Sequence, residues 1–157
     1  MSIALYRVDD RLIHGQVVVG WGQPLNCERI VLVDDEVRAS DWEQDLYRMG
    51  VPPHMEVTFA SVDEAVARLP DWDTDARPTI VLMGDLDTAA ALCERCPQVR
   101  RLNVGGVHHR AGRTERIRYV YLSDLEAAKL RAIATRGVTI TAQDVPTAAP
   151  VPLEQFA

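Results

Sequence analysis

The segment Arg7–Val17 reads RVDDRLIHGQV and gathers two carboxylates, two arginines, a histidine and a glycine. A neutral imidazole offers a nitrogen nucleophile near pH 7. Arg11 precedes His14 by three residues, and its forked donor set could cover an anion on the ring. Asp9 or Asp10 could accept from one ring nitrogen and leave the other free to react. Gly15 and Gln16 follow at the start of a helical stretch, where free backbone N–H groups and the helix dipole favour negative charge. Together these residues suit a histidine that takes up an anionic group. The same residue types also fit a plain loop, with Asp10 capping the helix and His14 merely exposed.

Other residues invite chemistry and offer less of it. His108 and His109 are adjacent, so on a strand they point to opposite faces, and no third ligand is spaced to complete a metal site. Cys93 and Cys96 form a single C-x-x-C late in a helical stretch, which supplies half the ligands of a zinc site and lacks the strand-to-helix context of a redox motif. Gly105-Gly106 with Arg110 and Arg113 could make a phosphate-binding or docking loop. Neither the P-loop spacing nor a G-x-G-x-x-G follows the first strand, so a nucleotide fold lacks its fingerprint. The expectation is therefore no metal and no cofactor.

The elements that must hold these residues alternate in type. Strand-like runs fall at Ile3–Val8, Arg29–Val33, Glu56–Phe59, Thr79–Met83, Arg101–Val104 and Val138–Thr141. RIVLV and TIVLM are continuous apolar runs, the pattern of strands buried on both faces. Helices are expected over His14–Trp21, over Asp41–Met49 after Ser40, and over Asp63–Leu69 after Ser61. Two more are expected over Thr88–Arg95 after Asp87 and over Leu125–Arg136 after Ser123. Glu64 and Glu126 complete capping boxes, and Gly137 stops the last helix. This alternation predicts an α/β fold, a three-layer α/β/α sandwich around a mainly parallel sheet of about six strands. The glycine-rich stretch and IRYVYL predict an added hairpin or antiparallel strand near 106–121. In an open parallel sheet the ligand crevice lies beyond the carboxyl ends of the strands, which is where His14 falls.

Composition bounds the rest. The chain has 157 residues, 47% of them hydrophobic, which suits one domain with a sizeable core. Its net charge of -6 argues against a general nucleic-acid binder. No apolar run approaches the ~18–20 residues of a membrane span, and MSIALYRVDD lacks a basic region followed by an apolar stretch. A cytoplasmic protein is expected. The three cysteines, Cys27 among them, do not suggest a disulfide framework. From Val145 the tail carries Pro146, Pro150 and Pro152 and is expected to run extended over the surface.

RVDDRLIHGQV, RIVLVDDEV at 29–37, the Pro52-Pro53 pair, LNVGGVHHRAGR at 102–113 and RGVTITAQDVP at 136–146 also carry a resemblance. Spread over nearly the whole chain, they are similar to the IIB subunits of the mannose/fructose/sorbose family of bacterial sugar phosphotransferase systems. The resemblance implies that His14 accepts a phosphoryl group on Nδ1 from a IIA phosphohistidine. It implies that the group then passes to a sugar at the membrane subunits IIC and IID, with a homodimer compatible with the family. Arg11 matches the family's loop arginine beside the phosphate, and Asp10, Gly15 and Gln16 match the rest of the motif. Trp21, Val107, His108 and His109 would rim the docking face. One departure stands out: where members often carry an arginine in the helix after the second strand, this chain has Glu43, with Arg38 and Arg48 about a turn or more away. A regulatory module of an incomplete system, without sugar transport, is the second reading.

Overall fold

The structure, a computed structural model, describes residues 2–157. Seven strands form the main sheet in the order β3-β2-β4-β1-β5-β8-β9. They are β1 (Ile3–Val8), β2 (Arg29–Val33), β3 (Glu56–Ala60), β4 (Thr79–Met83), β5 (Arg101–Val104), β8 (Thr139–Ala142) and β9 (Val151–Pro152). All are parallel except β9. Every residue of β2 and β4 is buried, as their unbroken apolar runs require. The register aligns the strand ends: Val8 faces Met83 and Val104, Met83 faces Val33, and Val104 faces Ala142. The loops after these strands therefore leave from one edge of the sheet.

Helices α3 (Val62–Thr74), α4 (Leu86–Arg95) and α5 (Asp124–Thr135) cover one face. They do so through Ala65, Leu69 and Trp72, then Ala89 and Leu92, then Ala127 and Leu130. The other face receives a short π-type helix, Gln16–Trp21, whose Val17, Val18 and Trp21 pack on Ile30, Leu32 and Ile80. It also receives α1 (Asp35–Arg38), which buries Val37, and α2 (Asp41–Met49), which adds Tyr47. The result is the three-layer sandwich that the alternating pattern predicts. The strands β6 (Thr114–Ile117) and β7 (Val120–Leu122) form a separate antiparallel hairpin in the expected stretch.

The local differences have local causes. Both capping boxes form, Ser61 with Glu64 and Ser123 with Glu126. Helix α4 starts two residues earlier than its expected start at Thr88, because Asp85 rather than Asp87 caps it, accepting from the Thr88 amide at 2.7 Å. Helix α3 runs through Pro70 to Thr74, past its expected end at Leu69. The proline forfeits one helical hydrogen bond, and the added turn buries Trp72. Helix α1 was not expected; Asp34 caps it by accepting from Val37 at 2.9 Å.

The tail requires a correction. It does not simply run over the surface. Ala142 and Thr141 of β8 pair with Val151 and Pro152, so β9 closes what would be an open sheet edge. A proline is tolerated there because an edge strand has one row of amides unpaired anyway. A turn at Leu153–Gln155 then buries Phe156 to 2% exposure in the core beside α5's face of the sheet. Burial of such a ring stabilises by about 1.5–3 kcal/mol.

Candidate functional site

The loop from Asp9 to Gly15 leaves the carboxyl end of β1, the strand between β4 and β5. It is built around a buried carboxylate. Asp9 is fully buried, and its oxygens accept from the Arg11 amide (3.1 Å), Arg11 Nε (3.1 Å) and Arg11 Nη2 (3.0 Å). Arg7 Nη2 approaches the same carboxylate at 3.3 Å. Burial alone would raise the Asp9 pKa, but the bonds from Arg11 and the charges of Arg7 and Arg11 outweigh it and hold the group below the ordinary carboxylate range.

Arg7 is itself fully buried. Its guanidinium donates to Asn103 Oδ1 and to the carbonyls of Gln143 (2.9 Å) and Asp144 (3.2 Å), and lies 4.8 Å from the Trp21 ring centre. A cation this deep persists because carboxylate, amide, carbonyls and ring all face it. Gly105 makes the room: a Cβ there would fall on the guanidinium.

His14 is partly exposed, its side chain at 20%. Its Nδ1 lies 2.8 Å from the Leu12 carbonyl, so in this arrangement Nδ1 carries the proton and donates. Nε2 is buried without a hydrogen-bond partner and points towards Asp9 Oδ2 at 3.9 Å. In this arrangement the ring's hydrogen bond is to a backbone carbonyl, Asp9 faces Nε2 beyond hydrogen-bond distance, and Asp10 does not meet the ring but turns to His108. Leu12 holds that carbonyl in place from a left-handed backbone (φ 59°), a conformation costing about 1–2 kcal/mol for a residue with a Cβ. Its side chain fills the space over Gly84, where a Cβ would collide with Leu12 Cδ2.

The other expected residues divide between two directions. Asp10 turns to the glycine loop: its oxygens take the His108 amide at 2.7 Å and lie 2.5 Å from His108 Nδ1, while the Asp10 amide donates to Gly106 at 2.9 Å. Arg113 backs this clip by donating to the His108 carbonyl (2.8 Å) and gripping Glu126 of α5. Gln16 turns the other way and donates to Asp144 Oδ1 at 3.3 Å. Gly15 is exposed, with open space around its Cα. His109 meets Tyr121 edge-on at 5.8 Å, and Trp21 is buried, donating to the Asp144 carbonyl at 3.3 Å, so it supports the site instead of rimming it.

Glu43 lies half-buried on the inner side of α2 near Tyr47. Neither neighbouring arginine takes up the loop's charge, because Arg38 pairs with Glu64 at 2.8 Å and Arg48 with Asp45 and the Phe59 ring. Cys93 and Cys96 are buried, and burial pushes the Cys93 thiol up to about 11, far from a reactive thiolate. Sequence reading missed Arg7, Asn103, Gln143 and Asp144. One signal was available: an arginine inside an otherwise apolar strand, one residue removed from a pair of aspartates.

The arrangement presents an imidazole with a buried Arg7–Asp9 pair and the partly exposed Arg11 guanidinium behind it, which suits a nitrogen that carries an anionic group. A family model described as "PTS system sorbose subfamily IIB component" matches residues 3–157. The sorbose-specific EIIB component of Klebsiella pneumoniae is 30% identical over 140 residues, covering 89% of this chain and 85% of its own. That of Lacticaseibacillus casei is 31% identical over 147 residues, covering 94% and 90%. The solved IIBSor domain of the Klebsiella pneumoniae sorbose permease superposes with a TM-score of 0.88 at 30% identity, covering 99% of this chain and 96% of that one.

Proposed function

The chain belongs to the sorbose-subfamily IIB components of the sugar phosphotransferase system, and we propose that within it His14 is the residue that carries the phosphoryl group. As a IIB component it is a phosphotransferase subunit that accepts phosphate from a IIA partner and passes it on to sugar through the membrane subunits. None of its own helices among the described residues is long and apolar enough to cross a membrane, and the proposed working place is the cytoplasm. The observation that carries the assignment is the loop geometry. A partly exposed imidazole stands beside Arg11, whose guanidinium is held against buried Asp9.

Transfer between two imidazoles needs in-line nitrogens and cover for the equatorial oxygens, with little covalent help. In this reading His14 Nδ1 attacks the phosphorus on the IIA histidine, the donor N–P bond breaks, and the new N–P bond forms on His14. Nδ1 must first give up its bond to the Leu12 carbonyl. The ring proton then resides on Nε2, the buried nitrogen that faces Asp9 at 3.9 Å and has no partner in the resting loop. Asp9 thereby favours the tautomer that exposes Nδ1. Arg11, Gly15 and Gln16 surround the phosphoryl group, while Asp10 acts through the clip to His108 and so shapes the loop without touching phosphate. The proposed partners are a IIA protein or domain, the IIC and IID subunits, and the sugar.

Intact-mass analysis after incubation with phosphoenolpyruvate, the two general phosphotransferase proteins and a matching IIA tests this. The native chain should gain one acid-labile phosphoryl group, and His14→Ala should gain none while unfolding at the native temperature. The chain has four histidines. An adduct that persists in His14→Ala and disappears in a variant of His54, His108 or His109 would sink the assignment.

A further inference from the structure

Charge around the loop is out of balance for a phosphoryl dianion. Asp9, Asp10 and Asp144 outnumber Arg7 and Arg11, and Arg7 is fully buried on partners it does not leave. Arg11 holds Asp9 through two of its three side-chain nitrogens. A loaded His14 needs another cation, and the fold brings one to the same place from the far side.

Arg118 stands at the turn of the β6–β7 hairpin. The hairpin is fixed beside the glycine loop by backbone bonds: Val107 donates to Tyr119 at 2.9 Å and Tyr121 donates to Val107 at 2.8 Å. Arg118 Nη2 lies 3.7 Å from Asp144 Oδ2, too long for a hydrogen bond, and its side chain is 86% exposed. Asp144 is the residue whose other oxygen and carbonyl hold Gln16, two positions after His14, and whose carbonyl also takes Arg7 and Trp21. Asp144 thus anchors the start of the helix after His14 and loosely parks a solvated guanidinium beside it.

We propose that Arg118 is the second guanidinium of the phosphoryl site, leaving Asp144 to close on the phosphoryl oxygens once His14 is loaded. No bond is made or broken at Arg118; it exchanges one anionic partner for another of higher charge. A forked guanidinium suits that exchange, because it offers two parallel donors to a phosphate. Holding this cation on an exposed hairpin, apart from the buried frame, lets the site neutralise phosphate without binding it too tightly to pass on. The inference rests on His14 being the carrier.

The test compares native, Arg118→Gln and Arg118→Lys chains, isolated after phosphorylation and also during uptake from phosphorylated IIA. In Arg118→Gln the ionisation of the phosphoryl group, followed by its ³¹P shift, should move up in pH, because a nearby cation has gone. Uptake should slow about two- to fivefold at low salt, the size of an exposed ion pair, and the gap should close at high salt. Arg118→Lys should recover most of the ³¹P titration shift, which follows charge, and only part of the uptake rate, because an ammonium lacks the paired donors. An unchanged ³¹P titration overturns the inference even if uptake slows, since the residue would then serve docking alone. A native chain that takes no phosphoryl group overturns the carrier reading as well.

Discussion

Replacement of Asp9 by asparagine removes one charge from the centre of the site and almost no volume. The native carboxylate is fully buried and receives Arg7 at 3.3 Å and Arg11 through its amide, Nε and Nη2. Asparagine keeps one acceptor oxygen but turns an NH₂ group towards guanidinium donors. Breaking a buried ion pair from one side costs about 3–5 kcal/mol, because the other charge is left behind. Arg7 retains Asn103 and two carbonyls, so the lower end applies, ~3 kcal/mol. At roughly 2–4 °C per kcal/mol for a domain of this size, Tm should fall by about 6–12 °C. Thermal and urea unfolding near pH 7 measure it. The pH dependence gives a second, independent sign. The Asp9 pKa is depressed in the folded chain, so its stabilisation is complete above the unfolded carboxylate pKa of about 3.9 and is lost as pH falls through the lower folded value. Native stability should therefore drop more steeply below about pH 4 than that of Asp9→Asn. A variant within ~1 kcal/mol of native at pH 7, with a parallel acid limb, would refute the view that this carboxylate holds the frame together.

Two further outcomes follow from the same frame. Gly105→Ala places a methyl group on the Arg7 guanidinium; overpacking costs about 1–3 kcal/mol, and phosphoryl uptake should fall with stability because Arg7 cannot retreat, which denaturation and intact-mass kinetics together check. His108→Ala removes the ring from Asp10 but leaves the 2.7 Å backbone bond; Tm should move little, since exposed pairs contribute ~0.2–1 kcal/mol, whereas uptake at saturating IIA should slow, and His108→Asn, which keeps a donor near Nδ1, should restore it.

The sheet was legible because each of its central strands declares itself. RIVLV and TIVLM are apolar at every position, and only a strand covered on both faces uses such a run. The capped starts of α3 and α5 were legible for a similar reason: a capping box is a contact between residues three apart, wholly contained in the local sequence. The tail misled because its prolines were taken to mark an extended surface run, while extended backbone is also what an edge strand uses and the bond a proline lacks is one such a strand does not need. Helix α3 outruns its expected end at Leu69 because burial of Trp72 offsets the bond that Pro70 forfeits.

The site was legible only as far as its members are near one another in the chain. Arg11 and His14 lie within one turn of loop, so their spacing alone suggests an imidazole beside a cation. The groups that decide how that imidazole is held come from elsewhere: Asn103 from β5, Gln143 and Asp144 from the end of β8, Gly84 from the end of β4. They meet because parallel strands in register deliver all their following loops to one edge. A pattern confined to one segment cannot record that meeting. What it can record is the need for it: Arg7 sits in a strand where every neighbour argues for burial, and a buried guanidinium demands several acceptors. Asp9 is one; that the others are Asn103 on β5 and the Gln143 and Asp144 carbonyls after β8 is decided by strand order, which Arg7 by itself does not record.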